Sequence, residues 1–248
     1  MDQPPCWEFL QDRILMTAVE VKGVFFDVDF TLIYPGSTFQ AEGYVGFCTR
    51  YGIKIDQDLF SQAVIKAAPI LDGSSSLVYD EDIFIRYTTA IIEVMGGAGK
   101  SVSVCAREIS RAWADNKHFY LYKDVRPVLE ELSRRGIKVG LISNSDRCLI
   151  SFQNHFGLND LIAGAVSSAE HGYLKPHPSI FRSALQVVGV QPQESIMVGD
   201  SFTQDIEGAR RVGMGGVLVQ RTNNHGVTPV LPEDVLVIHT LSELEQFV

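Results

Sequence analysis

From Asp124 onward the chain alternates helical and strand periods, and that alternation admits few folds. A helix is expected over residues 125–135, closed by Gly136, with a strand at 137–142 after it. A helix from about 146 to 156 precedes a short strand at 161–166, and another at 178–188 precedes a strand at 195–198. A helix over 202–212 leads to a strand at 216–219, and a last strand at 235–238 is followed by a short terminal helix. Strands separated by single helices pair in parallel and need helices on both faces. The fold class is therefore α/β.

One more strand precedes this series. Val24, Phe25 and Phe26 form an apolar run that ends abruptly in Asp27 and Asp29. Asp is depleted in strands, so both acids belong at or just past the strand's C-terminal end, where ligands bind in open α/β sheets. Two carboxylates crowded there repel unless a cation lies between them or one takes a proton. A strand-terminating Asx turn is the alternative from this stretch alone.

Between that strand and the alternating region the pattern changes. Tyr34-Pro35-Gly36-Ser37 breaks it, and residues 38–51, 56–68, 80–95 and 101–117 each read as helical. Asp56, Asp80 and Ser101 are candidate N-caps, while Gly52, Gly73 and Gly96-Gly97 mark ends. The chain thus divides into an N-terminal extension (1–20), a core (21–35 and 117–248) and an inserted helical block (36–116). Within the extension, Trp7, Phe9, Leu10, Ile14 and Leu15 could form a short amphipathic helix, and Met16 is an alternative start. Asp2, Glu8 and Asp12, with no basic leader, argue against a signal peptide.

Composition narrows the class. A net charge of −9 without a basic run argues against nucleic acid, and no apolar run approaches the ~18 residues of a membrane span. Cys6, Cys48, Cys105 and Cys148 form no Cys-x-x-Cys and read as reduced thiols of a cytoplasmic protein. His118, His155, His171, His225 and His239 show no ligand spacing. Gly96 to Ser101 fails as a P-loop because Val94 stands where the first glycine belongs.

Three later segments also end in groups able to act on a phosphoryl oxygen. They are Ser143-Asn144-Ser145-Asp146, Leu174-Lys175-Pro176, and Gly199-Asp200-Ser201 with Asp205 beyond it. Each has a mundane reading singly: turn chemistry, a solvated loop lysine, an N-cap with a surface acid.

In this order, with Asp27-Val28-Asp29-Phe30-Thr31 at the front, the segments resemble the four motifs of the haloacid dehalogenase superfamily of phosphohydrolases. The resemblance spans residues 22–221 and implies a Rossmann-like, three-layer core with an α-helical cap inserted after the first motif, as in phosphoglycolate phosphatase relatives. It implies a Mg²⁺-dependent phosphatase acting on a small phosphorylated metabolite. In that scheme Asp27 is the nucleophile that becomes an aspartyl-phosphate, and Asp29 is the general acid and base. Ser143, Asn144 and Lys175 bind the phosphoryl group. Asp27, Asp29 (through its carbonyl), Asp200 and Asp205 bind or orient the metal.

Two positions depart from the pattern: Phe30 where Gly is common, and His177 where Asp is common. Phe30 is expected to narrow the cavity or pack beneath the cap, and His177 to sit on the surface or cap a helix. A phosphomutase or a 2-haloacid dehalogenase of the same superfamily is the alternative. The dehalogenase has no need of Asp29, Asp200 or Asp205. A receiver-like signalling module would lack an acid at Asp29, because a general base there hastens loss of the phosphoryl group.

Overall fold

A computed structural model of the chain describes residues 20–72, 77–221 and 231–248. The extension with its helix and alternative start, Cys6, Gly73 and His225 lie outside the described residues. In chain order the strands are β1 (Gly23–Phe26), β2 (Ile33–Pro35), β3 (Phe119–Leu121), β4 (Lys138–Ser143), β5 (Gly164–Ser167), β6 (Ser195–Gly199), β7 (Gly215–Val219) and β8 (Leu236–Ile238). The helices are α1 (Ala41–Arg50), α2 (Phe60–Ala67), α3 (Ile83–Val94), α4 (Val102–Trp113), α5 (Val125–Arg134), α6 (Leu149–Phe156), α7 (Ser168–His171), α8 (Pro178–Val188) and α9 (Gly208–Arg210). No described helix is long and apolar enough to cross a membrane.

The main sheet is parallel, in the order β5-β4-β1-β6-β7-β8. β1 lies between β4 and β6, buried on both faces, which is why its sequence is uniformly apolar and does not alternate. Val24 and Phe26 pack on one side with Val128 and Leu129 of α5 and Phe152 of α6. Phe25 packs on the other with Ile180, Phe181 and Ala184 of α8. From β1 the chain passes to β4 and β5 on one flank and then returns to β6 on the other. The crevice at the C-terminal end of β1 is therefore the switch point where an open α/β sheet takes its ligand.

The helices follow from their sequence. In α5, Val125, Val128, Leu129 and Leu132 are buried at three- and four-residue spacing, and Gly136 just beyond takes φ 75°. In α8, Pro178 opens the first turn, and Gly189 closes it in the left-handed region.

Several expected elements shift. Ile33–Pro35 is a strand, paired antiparallel with Phe119–Leu121, where the sequence reads as a break; Pro35 is tolerated because the ribbon is two strands wide and all edge. The helix expected at 101–117 stops at Trp113, since Asp115 accepts from Lys117 N and starts a separate 3₁₀ turn at Asn116–His118. The helix expected from 146 begins only at Leu149, capped by Cys148. The strand expected at 161–166 is Gly164–Ser167. The segment 202–212 is helical in two pieces, a π-helical turn Phe202–Glu207 and then α9. The terminal helix is 3₁₀, Leu241–Gln246, held by a capping box of Thr240 and Glu243.

Of the candidate N-caps, Asp56 caps a 3₁₀ turn ahead of α2. Asp80 instead accepts from Asp82 N one turn before α3, and Ser101 makes no capping bond. The helices α1–α4 lie between β2 and β3, with Phe39, Tyr44, Phe47, Ile91, Ile92 and Ile109 buried in an apolar cluster continuous with the sheet's. Phe84 and Tyr87 are only half-buried.

Candidate active site

The loop after β1 begins as a continuation of the sheet, with Asp27 N donating to Val198 O at 2.9 Å. It then turns sharply: Leu32 N and Ile33 N both donate to Val28 O, and Phe30 N donates to Ile33 O at 2.7 Å. The turn places Phe30 at φ 63°, in the left-handed region that disfavours any side chain but suits the glycine common at this position. Phe30 leans on Trp113 at the end of α4, ring centroids 6.2 Å apart, as expected for an aromatic beneath the helical block. Thr31 is buried, and its carbonyl accepts from Arg221 Nη2 at 2.8 Å.

Lys175 reaches this loop from 148 residues away, its Nζ 2.6 Å from Asp27 Oδ1. The same Nζ donates to Asp205 Oδ1 at 2.6 Å, and the other Asp205 oxygen accepts from Ser201 N at 3.0 Å. Asn144, just past β4, clamps the lysine loop: its Oδ1 accepts from Lys175 N at 2.7 Å and its Nδ2 donates to Lys175 O at 3.1 Å. That Nδ2 also donates to Gln204 Oε1 at 3.1 Å, so the side chain ties three of the four motif segments together. The Lys175-Pro176 peptide is cis.

Carboxylate oxygens of Asp27, Asp200 and Asp205 lie within 4.8 Å of one another. Lys175 faces two of these three acids, Asp27 and Asp205, and all three of those side chains are buried. Burial pushes the Asp27 carboxyl up to about 7 against the pull of Lys175, with Asp205 and Asp29 pushing the same way. Burial alone would lower the Lys175 ammonium, but Asp205 and Asp27 outweigh it and raise its pKa. An all-oxygen, electron-rich cradle of this kind fits a hard divalent cation such as Mg²⁺.

Asp29 stands apart from that cluster. Its Oδ1 accepts from Arg147 Nη2 at 3.0 Å, and Arg147 is wholly buried. Ser143, the last residue of β4, is buried with its Oγ 2.9 Å from that of Ser145. The structure therefore brings Asp27, Asp200, Asp205, Lys175 and Asn144 together, with Asp29 and Ser143 on the neighbouring strand ends. The sequence did not single out Arg147 or Gln204, and it named Ser145 only as part of its segment. An arginine just ahead of an apolar helix looks like any solvated helix-start cation, and only the fold buries it.

His177 caps α8, its Nδ1 accepting from Ser179 N, and stacks on Tyr173 at 4.2 Å. Just ahead of α3, Tyr79 N donates to Gly172 O and Leu77 O accepts from Leu174 N. The helical block thus touches the loop that carries Lys175.

The family profile of haloacid dehalogenase-like hydrolases matches residues 21–213. The chain is 31% identical over 228 residues to a glyceraldehyde 3-phosphate phosphatase of Methanopyrus kandleri, covering 87% of this chain and 91% of that one. It is 34% identical over 202 residues to a phosphoserine phosphatase of Thermus thermophilus, covering 70% and 76%. Among solved structures, a HAD phosphatase from Thermococcus onnurineus superposes with a TM-score of 0.61 at 24% identity, over 91% of this chain and 97% of that one. At that identity the likeness is one of fold.

Proposed function

This chain belongs to the haloacid dehalogenase-like hydrolases, and we propose that it is a Mg²⁺-dependent phosphatase of a small phosphomonoester. The observation that carries the proposal is the meeting of Lys175 Nζ with Asp27 and Asp205 inside a three-carboxylate cluster. Two relatives named for small phosphorylated metabolites, glyceraldehyde 3-phosphate and phosphoserine, support that substrate class. The helices between β2 and β3 serve as the cap over the cleft, and residues 21–35 and 117–248 as the catalytic core. The free thiols Cys48 and Cys105 suit a reducing compartment such as the cytoplasm.

Asp27 attacks phosphorus; the bond from phosphorus to the leaving oxygen breaks as the Asp27–phosphorus bond forms. Asp29 gives its proton to the departing oxygen. Asp29 then takes a proton from water, which attacks the aspartyl-phosphate and returns Asp27 as a free carboxylate with release of inorganic phosphate. Ser143 Oγ and the Asn144 N–H hold phosphoryl oxygens, and Lys175 neutralises charge gathering on them. Asn144's side chain keeps Lys175 in place. The Asp27 and Asp200 carboxylates, with Asp205 behind them and the Asp29 carbonyl, would hold Mg²⁺, which screens the nucleophile from the phosphate dianion.

The test is Asp27→Asn, assayed against an aryl phosphate with Mg²⁺. We expect turnover to vanish while circular dichroism and melting remain those of a folded chain. Turnover at the wild-type rate would remove Asp27 as nucleophile and the proposal with it.

A further inference from the structure

We propose that Arg147 is the positioning residue for Asp29: its guanidinium, fixed at three points, aims the Asp29 carboxylate at the leaving oxygen. This rests on the reading of Asp29 as general acid.

Arg147 lies in the loop between β4 and α6, outside the four motif segments. Its side chain is 0% exposed, so its charge is out of water and is matched by the Asp29 carboxylate. Nη2 donates to Asp29 Oδ1 at 3.0 Å and Nη1 donates to Asn116 Oδ1 at 2.9 Å. The guanidinium carbon stands 4.2 Å from the centre of the Phe119 ring, so the plane is also held by a face contact. Nε meets no acceptor among the described residues, leaving those three contacts to set the orientation.

The geometry separates two jobs. Asp27 is held by Lys175, and the other oxygens of that cluster face one another. Asp29, two residues on, is not one of the three clustered acids and has one oxygen occupied by Arg147. Its other oxygen is the one left to deliver a proton. A carboxylate held at one oxygen by a rigid, planar donor has little freedom to swing back toward Lys175. Asn116 and Phe119 belong to the segment by which the chain returns from the helical block, so the anchor of Asp29 is built from both parts of the molecule.

The experiment compares phenyl phosphate with 4-nitrophenyl phosphate on the Mg²⁺-loaded full chain. The two esters have nearly the same shape, but nitrophenolate leaves without a proton and phenolate needs one. Because kcat/KM reports steps up to loss of the leaving group, it isolates the acid's part. In Arg147→Met we expect kcat/KM for phenyl phosphate to fall about 10- to 100-fold, within the roughly 10²–10⁴-fold that a placed acid contributes. For 4-nitrophenyl phosphate we expect a fall below about threefold. In an Asp29→Asn background the same substitution should cost nothing more with either ester.

Asn116→Leu leaves Arg147 in place without its Nη1 acceptor and should show the same bias, smaller in size. It gives the reading if Arg147→Met does not fold. Equal falls for both esters, or full additivity with Asp29→Asn, overturn the role. Failure of the phosphatase proposal itself shows elsewhere, as unchanged turnover in Asp27→Asn.

Discussion

The carboxylate of Asp205 rests directly on the Cα of Gly199: a Cβ there would stand 2.2 Å from Asp205 Oδ2. Nothing larger than hydrogen fits between the end of β6 and the acid that holds Lys175. Gly199→Ala must therefore push Asp205 away, and Lys175 Nζ with it. We expect kcat/KM to drop by at least about tenfold and stability to fall by roughly 1–3 kcal/mol, the usual range for overpacking. Steady-state kinetics and urea melts measure both, and an alanine variant with wild-type values would show that Asp205 has room to spare.

Removing the ammonium is a harsher change. In Lys175→Met two buried carboxylates lose their shared cation, and breaking a buried pair from one side costs about 3–5 kcal/mol. The full loss should appear in chelator, with Mg²⁺ restoring part of it by neutralising the same oxygens. Activity should stay about 10²–10³-fold down even with metal, since the charge facing the phosphoryl group is gone. Equal losses of stability with and without Mg²⁺ would separate the lysine from the metal cradle.

Metal binding should also be visible without turnover. A cation held by the folded cluster and not by the unfolded chain raises the melting temperature, so Mg²⁺ should add about 2.7 kcal/mol of stabilisation at a hundredfold excess over Kd. Chelation should abolish hydrolysis. Asp200→Asn should flatten the melting response to Mg²⁺. A wild-type chain whose melting ignores Mg²⁺ would count against the cradle.

The raised Asp27 pKa fixes a sign for pH dependence in metal-free protein. Its unfolded value is the ordinary 3.8 and its folded value about 7, so between those pH values the folded state holds the extra proton. This contribution to stability is complete below 3.8 and is lost as pH rises through about 7. Metal-free wild type should therefore weaken relative to Asp27→Asn across that window in urea melts at a series of pH values. Saturating Mg²⁺ favours the carboxylate and should shrink the difference. A wild type that gains on the variant as pH rises would reverse the assignment.

The sheet was legible because a buried parallel strand must be apolar throughout, and β1, β4 and β6 carry that pattern without competition. The acids were legible because two carboxylates one residue apart at a strand end repel unless a cation or a proton intervenes, and three later segments supplied partners in the right order. Boundaries failed where side chains intercept the backbone, as Asp115 does below α4 and Cys148 above α6. The ribbon of β2 and β3 was missed because Pro35 reads as a breaker, and only long-range pairing shows that its missing N–H lies on an open edge. Asn144's clamp and Arg147's burial were out of reach for a related reason. Each depends on partners 31 and 118 residues away, which local pattern does not encode.

That narrow ribbon has a further effect. Ile33–Pro35 and Phe119–Leu121 run side by side, so the chain leaves for its helices and comes home through one doorway. Whatever lies beyond the doorway can be lengthened, trimmed or exchanged while the register of β1 against β4 and β6 stays the same. The helices can thus vary between two fixed ends, provided that Asn116 at the return still meets Arg147.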